Sequence, residues 1–201
     1  MWHNQGVDGD RPARGRRGGG RERDRRAPVP LDETRLRDLA IHYVGRFATT
    51  RSKLRDYLRR KLRERGWSGD NAPDLDNLAD RLADLGYIDD AAFALAKAGS
   101  LGARGYGEGR VRQALHAAGI AEDDGAPARE LSNSAASENA LRFARRRRLG
   151  PFADHLLDPA GRQRALAAMI RAGHSFALAK VILDCAPGEE PDPDQIDDAN
   201  S

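Results

Sequence analysis

The sequence predicts an all-α protein, three tandem three-helix repeats stacked into an elongated, curved body, and three observations lead there. Apolar residues recur at the three- and four-residue steps of amphipathic helices through most of positions 32–185. A helix-ending cassette (two apolar residues four apart, a glycine four further on, then an apolar or aromatic residue) returns with glycine separations of 53 and 54 residues. No alternating strand pattern survives comparison with these helical stripes.

The first helix is signalled by Leu36, Leu39, Ala40, Tyr43, Val44 and Phe47, with Asp32 or Thr34 to cap its start. After Thr49-Thr50-Arg51-Ser52, the residues Leu54, Leu58 and Leu62 repeat the pattern, closed by Gly66 where a left-handed residue is wanted. Leu75, Leu78, Ala79 and Leu82 follow, closed by Gly86. Asp89 or Asp90 caps a fourth helix through Phe93 and Leu101; adjacent carboxylates at a helix start read as caps rather than as an acid/base or metal pair. Val111, Ala114, Leu115 and Ala118 form the next stripe, closed by Gly119. Ser137 to Arg148, Arg162 to Ala172 and Ser175 to Asp184 supply the rest. The cassette itself reads Leu58, Leu62, Gly66, Trp67; then Val111, Leu115, Gly119, Ile120; then, more weakly, Ala165, Met169, Gly173, His174. A further copy, Leu78, Leu82, Gly86, Tyr87, lies inside the first repeat. The repeats are expected over 32–88, 89–137 and 138–185, sharing buried surface because one such unit is marginal alone. Residues 121–138 are the least periodic and predict a mobile connection.

Charge is distributed unevenly. The net +3 divides into +4 over 1–31, +5 over 32–185 and −6 over 186–201. Both ends are rich in Gly, Pro and charge, so a disordered Arg/Gly-rich tail and a disordered acidic tail are expected there. No stretch approaches the roughly 20 apolar residues of a membrane span. The start, MWHNQGVDGDRPARGRRGGG, lacks the apolar core of a secretory signal, which points to the cytoplasm. The lone Cys185 excludes a disulfide framework and continues the stripe of Leu178, Val181 and Ile182 as a small core residue. His3, His42, His116, His155 and His174 are scattered without ligand spacing, so no metal is expected. The stretch Gly99 to Gly109 lacks the Gly-Lys-Ser/Thr ending of a phosphate loop and follows no strand, so it reads as a turn between helices. No catalytic residue and no cofactor emerge, and the reading is of a protein that is not an enzyme.

The distinctive chemistry is arginine. Arg51, Arg55, Arg59 and Arg63 recur every fourth residue, within roughly 120° of helical arc beside the leucine stripe. Lys53, Arg60, Lys61 and Arg65 widen this surface, so nine bases face two acids between Arg46 and Arg65. Arg142 with Arg145, Arg146, Arg147 and Arg148 makes a second run, and Arg104, Arg110 and Arg112 a thinner third. Such clusters suit charge-assisted contacts to phosphates or carboxylates. Arg51, Arg55, Arg59, Arg63, Arg145, Arg146, Arg147 and Arg148 are therefore the candidate partner- and DNA-contacting residues. An ordinary solvated helix face is the competing account of the stripe, and genome base composition that of 30 Arg against four Lys.

The run Gly86-Tyr87-Ile88-Asp89-Asp90, followed by Phe93-Ala94, resembles the RecX regulatory-protein family, which modulates the recombinase RecA. Ser52-Lys53-Leu54 through Lys61-Leu62 to Gly66-Trp67 matches the segment that precedes it in the family, and Gly119-Ile120 a later helix end. Gly173-His174-Ser175-Phe176 resembles the last repeat's Arg-Gly-Phe-Ser segment, with His174 in place of an aromatic. The resemblance spans about residues 34–184. It implies a protein of three tandem three-helix units lying in the groove of the RecA–DNA filament and restraining recombinase, ATPase and coprotease activities in DNA repair and the SOS response; a monomer is expected. A stand-alone helical DNA-binding protein is the alternative reading, and a helical scaffold meeting an acidic protein a third.

Overall fold

The computed structural model describes residues 29–189 and 191–199. Among these residues the regular structure is helical, with a single isolated β-type bridge between Leu31 and Trp67. Helices α1 (Glu33–Val44), α2 (Arg51–Arg65) and α3 (Leu75–Asp84) enclose a core of Leu36, Ala40, Leu54, Leu58, Ala79, Leu82 and Ile88. Each start is capped by the side chain just outside it. Asp32 accepts from the Arg35 N–H at 2.8 Å, Thr50 from Lys53 at 3.1 Å and Asp74 from Asn77 at 2.9 Å. Leu31 completes this core with no exposed surface. Its N–H donates to Gly66 O at 3.0 Å and its carbonyl accepts from Ser68 at 2.8 Å, so 29–31 belong to the folded body, while residues 1–28 of the expected tail lie outside the described residues.

Helices α4 (Asp90–Gly102), α5 (Glu108–Ala117) and α6 (Glu122–Ser134) surround Ala94, Ala98, Leu101, Val111, Leu115 and Ala128. Here the structure departs from expectation: 121–138 is no loose connection but α6 and the start of the next helix. The buried face of α6 is Gly125, Ala128 and Ser132, spaced three and four apart, so its periodicity is written in small residues. Ala128 shares a core with Ala94 and Ala98 of α4, and α4 with α6 is the most extensive helix pair among the described residues, while Gly125 faces Leu115 and Ile120. Glu122, Asp123 and Asp124 in its first turn favour its N-terminus.

Helices α7 (Ala136–Arg147), α8 (Pro159–Arg171) and α9 (Phe176–Asp184), with a 3-10 turn at Gly150–Phe152, pack around Ala140, Phe143, Met169, Leu178 and Ile182. A short α10 (Pro193–Asp198) adds Ile196 to this core at 4% exposure. The acidic end was expected to lack order; in the structure Ile196, with Ala199 partly buried beside it, packs against the body, and Gly188 N–H donates to Pro151 O at 2.9 Å.

The three clusters meet through equivalent ends of α2, α5 and α8. At the first junction Thr50 Oγ1 donates to Ala118 O at 2.7 Å, just past the end of α5. At the second, Gly107 N–H donates to Ala172 O and Gly109 N–H to Gly173 O, both at 3.0 Å, just past α8. Donors at the start of one helix thus reach carbonyls left over at the end of another. Gly119 and Gly173 have positive φ and no room for a side chain, since a Cβ would overlap Ser52 Oγ at the first and the Arg110 backbone at the second.

Candidate functional site

The arginine stripe lies on α2 as expected, but most of it is already paired. Arg51 is the most constrained. Its Nε lies 3.0 Å from Asp90 Oδ2, its Nη2 2.7 Å from Asp124 Oδ2, and its Nη1 3.9 Å from Asp80. The Asp90 side chain is 4% exposed, and its other oxygen accepts the Arg51 backbone N–H at 3.1 Å. The hydrogen bond with Asp90 is the main cause holding the guanidinium above its ordinary value, against the opposing effect of burial. Asp89 and Asp90 therefore divide their work. Asp89 caps α4, accepting from Ala92 N–H at 2.7 Å, while Asp90 receives the free N–H at the start of α2, in another cluster.

Arg55 pairs with Asp76 at 2.5 Å. With Arg51 and Asp80 this forms a ladder in which four residues down α2 match four residues up α3. Arg59 pairs with Asp56 at 3.0 Å, Arg60 with Glu64 at 3.7 Å and Lys61 with Glu64 at 2.6 Å. Arg63 is exposed and, among the described residues, has no carboxylate within ion-pair reach. Exposed pairs of this kind contribute at most about 1 kcal/mol each and yield to a stronger anion. Arg51 does not, because releasing it would strand a buried carboxylate. The signal for this pairing was Asp76 and Asp80 at the same four-residue step as Arg51 and Arg55.

The second and third arginine runs, separate in sequence, come together. Tyr106 is half-buried between the second and third cores. The guanidinium carbons of Arg104, Arg110 and Arg146 lie 5.3, 6.0 and 5.8 Å from its ring centroid. Arg146 and Arg147 lie 5.7 and 5.8 Å from the Phe143 ring, and Arg145 4.8 Å from Phe152. Among the described residues none of these five has a carboxylate within ion-pair reach; Arg148 pairs with Asp154 at 3.2 Å and Arg112 with Glu108. An aromatic face steadies a guanidinium without neutralising it, so the charge and most of the N–H donors stay available.

What assembles this cluster is the docking of the α4–α5 loop on α7. Arg142 Nη1 donates to Gly102 O at 2.8 Å, and His174 Nε2 lies 3.1 Å from Gly105 O. The His174 ring is buried beside Phe143, and burial lowers its pKa to about 4 against the weaker opposing effect of the Gly105 hydrogen bond. A neutral His174 is thus built into the junction that carries Tyr106 and Phe143. Nothing short of this packing could have joined the two runs. Among the described residues no group of His, Cys, Asp or Glu is placed to hold a metal, and no helix is long and apolar enough to cross a membrane.

No family model matches the chain. The regulatory protein RecX of Myxococcus xanthus (strain DK1622) is 33% identical over 175 residues, covering 83% of this chain and 94% of that protein. A crystal structure of RecX from Lactobacillus salivarius superimposes with a TM-score of 0.53 at 18% identity, over 74% of this chain and 92% of that one. A second crystal structure, of a regulatory protein RecX, gives 0.52 at 23% identity, over 75% and 71%. Fold and relatives together define an all-helical regulatory protein. More narrowly, the chain belongs to the RecX family.

Proposed function

We propose that this chain regulates the recombinase RecA by lying along its DNA filament and restraining its recombinase, ATPase and coprotease activities. The observation that carries the reading is the group of uncompensated guanidiniums from two clusters gathered at Tyr106 and Phe143, in a chain whose relatives are regulatory proteins. Arg104, Arg110, Arg145, Arg146 and Arg147 contact phosphates or filament carboxylates, and Arg55, Arg59, Arg63 and Arg148 give a second, weaker set. Arg51 is left out, being engaged with Asp90. Units joined end to end through α2, α5 and α8 suit a groove that runs past several subunits.

The test is titration into RecA assembled on single-stranded DNA. ATP hydrolysis should fall, and changing Arg104, Arg110 and Arg146 to Ala should weaken the effect while leaving helicity unchanged. No effect of the unaltered protein at saturation would overturn the reading. If the three residues engage about three phosphates of a single strand, the log–log salt slope should flatten by about 2 in the triple variant. Tight, salt-sensitive DNA binding indifferent to RecA would favour the stand-alone DNA-binding alternative instead.

A further inference from the structure

Away from the arginines gathered at Tyr106, a groove of about 540 Å³ opens between the turn after α1 and the exposed side of α4. Thr49, Tyr87, Phe93 and Ala96 line it, with two charged residues, Lys97 and Asp89, whose Oδ1 is already engaged in capping α4. Three features mark it as more than a crease. Tyr87 leaves 55% of its surface in solvent at the rim. Thr49, only 6% exposed, has a hydroxyl with no hydrogen-bond partner, and a buried polar group is rarely left so. The Lys53 ammonium sits 4.5 Å from the Phe93 ring centroid, and neither it nor Lys97 has a carboxylate within reach among the described residues. The other two lysines do: Lys61 pairs with Glu64 at 2.6 Å and Lys180 with Asp184 at 2.9 Å.

The lining selects the occupant. Alanine and aromatic walls offer a nucleic-acid strand little, since its phosphates are better served by the guanidiniums near Tyr106. They suit a large apolar side chain, desolvated between Tyr87 and Phe93. A turn of the Thr49 side chain toward the groove would bring its unpartnered hydroxyl to a peptide carbonyl, and a neighbouring carboxylate would meet Lys53 and Lys97, away from Asp89. We propose that this groove docks a short segment of the protein partner, an apolar side chain flanked by a carboxylate, separately from the arginines at Tyr106. The proposal rests on RecA being that partner.

Ala96 is exposed on α4, so Ala96→Glu sets a negative charge in the groove without disturbing the core. Binding of this variant to RecA filaments should weaken about tenfold or more, while its affinity for a single-stranded oligonucleotide alone and its melting temperature stay unchanged. Thr49→Val should leave the free protein as stable or more so, because it removes an unpartnered hydroxyl, yet weaken filament binding several-fold. If the unaltered protein leaves RecA's ATP hydrolysis untouched, both readings fall. If it inhibits and the two variants inhibit equally well, only the groove proposal is overturned. Equal weakening toward the bare oligonucleotide would make the groove a nucleic-acid site and overturn the proposal too.

Discussion

Acidification should loosen this protein through His174, and the amount follows from its surroundings. The residue is 6% exposed, its ring centroid is 5.4 Å from that of Phe143, and its Nε2 faces Gly105 O. Burial lowers its folded-state pKa to about 4, whereas an imidazole in the unfolded chain titrates near 6.5. The folded state therefore takes up the proton later than the unfolded one. The stability this group contributes is whole above pH 6.5, declines as pH falls through the window down to about 4, and declines no further below that. Over the whole window the loss is about 3 kcal/mol, and between pH 7 and pH 5 about 2 kcal/mol. Urea unfolding at those two pH values, on the unaltered protein and on His174→Gln, isolates it. Glutamine keeps an N–H for Gly105 O and has no proton to gain, and the Glu108–Arg112 pair lining the same cleft is common to both proteins. The unaltered protein should lose about 2 kcal/mol more than the variant, near 1 M in urea midpoint at typical slopes. Parallel losses would refute the assignment of a buried, neutral imidazole.

Three further outcomes follow from the packing. Gly119→Ala and Gly86→Ala both force a side chain onto positive φ, costing about 1 kcal/mol, but only at Gly119 would the new Cβ meet Ser52; thermal melts should show that variant clearly the worse, by about 1–3 kcal/mol more. Leu31→Ala should cost about 2–5 kcal/mol in calorimetry, as much as Leu58→Ala, because both side chains are fully buried although Leu31 lies outside the helices. Arg51→Ala, which strands the buried Asp90 charge, should cost about 3–5 kcal/mol, and Asp90→Asn, which keeps an acceptor for the Arg51 N–H, distinctly less; chemical denaturation giving the opposite order would remove the clasp.

What could be read in advance was local. Leucine stripes, caps such as Thr50 and glycine ends such as Gly66 act within a few residues, so their consequences are visible in sequence. α6 escaped because Gly125, Ala128 and Ser132 carry its buried face, and the usual apolar pattern passes over small residues. Ile196 escaped because one apolar residue among acids makes no stripe. The arginine surface was half legible. Charge density is a property of composition, but which guanidiniums are spent depends on partners as far off as Asp90 and Asp124 for Arg51. Which of them combine depends on α7 meeting the loop that holds Tyr106.

The seam where Gly107 and Gly109 face Gly173 sits directly beneath those arginines. Arg110 rides on the helix that begins there, and Arg146 on the helix carrying Phe143, whose ring meets that of His174 at a tilt of 58°. A small tilt at this seam would change the spacing between charges that belong to different clusters. The reach of the proposed arginine contacts is thus a setting held by three glycines, and a chain stiffened or loosened there would hold its guanidiniums at a different spacing.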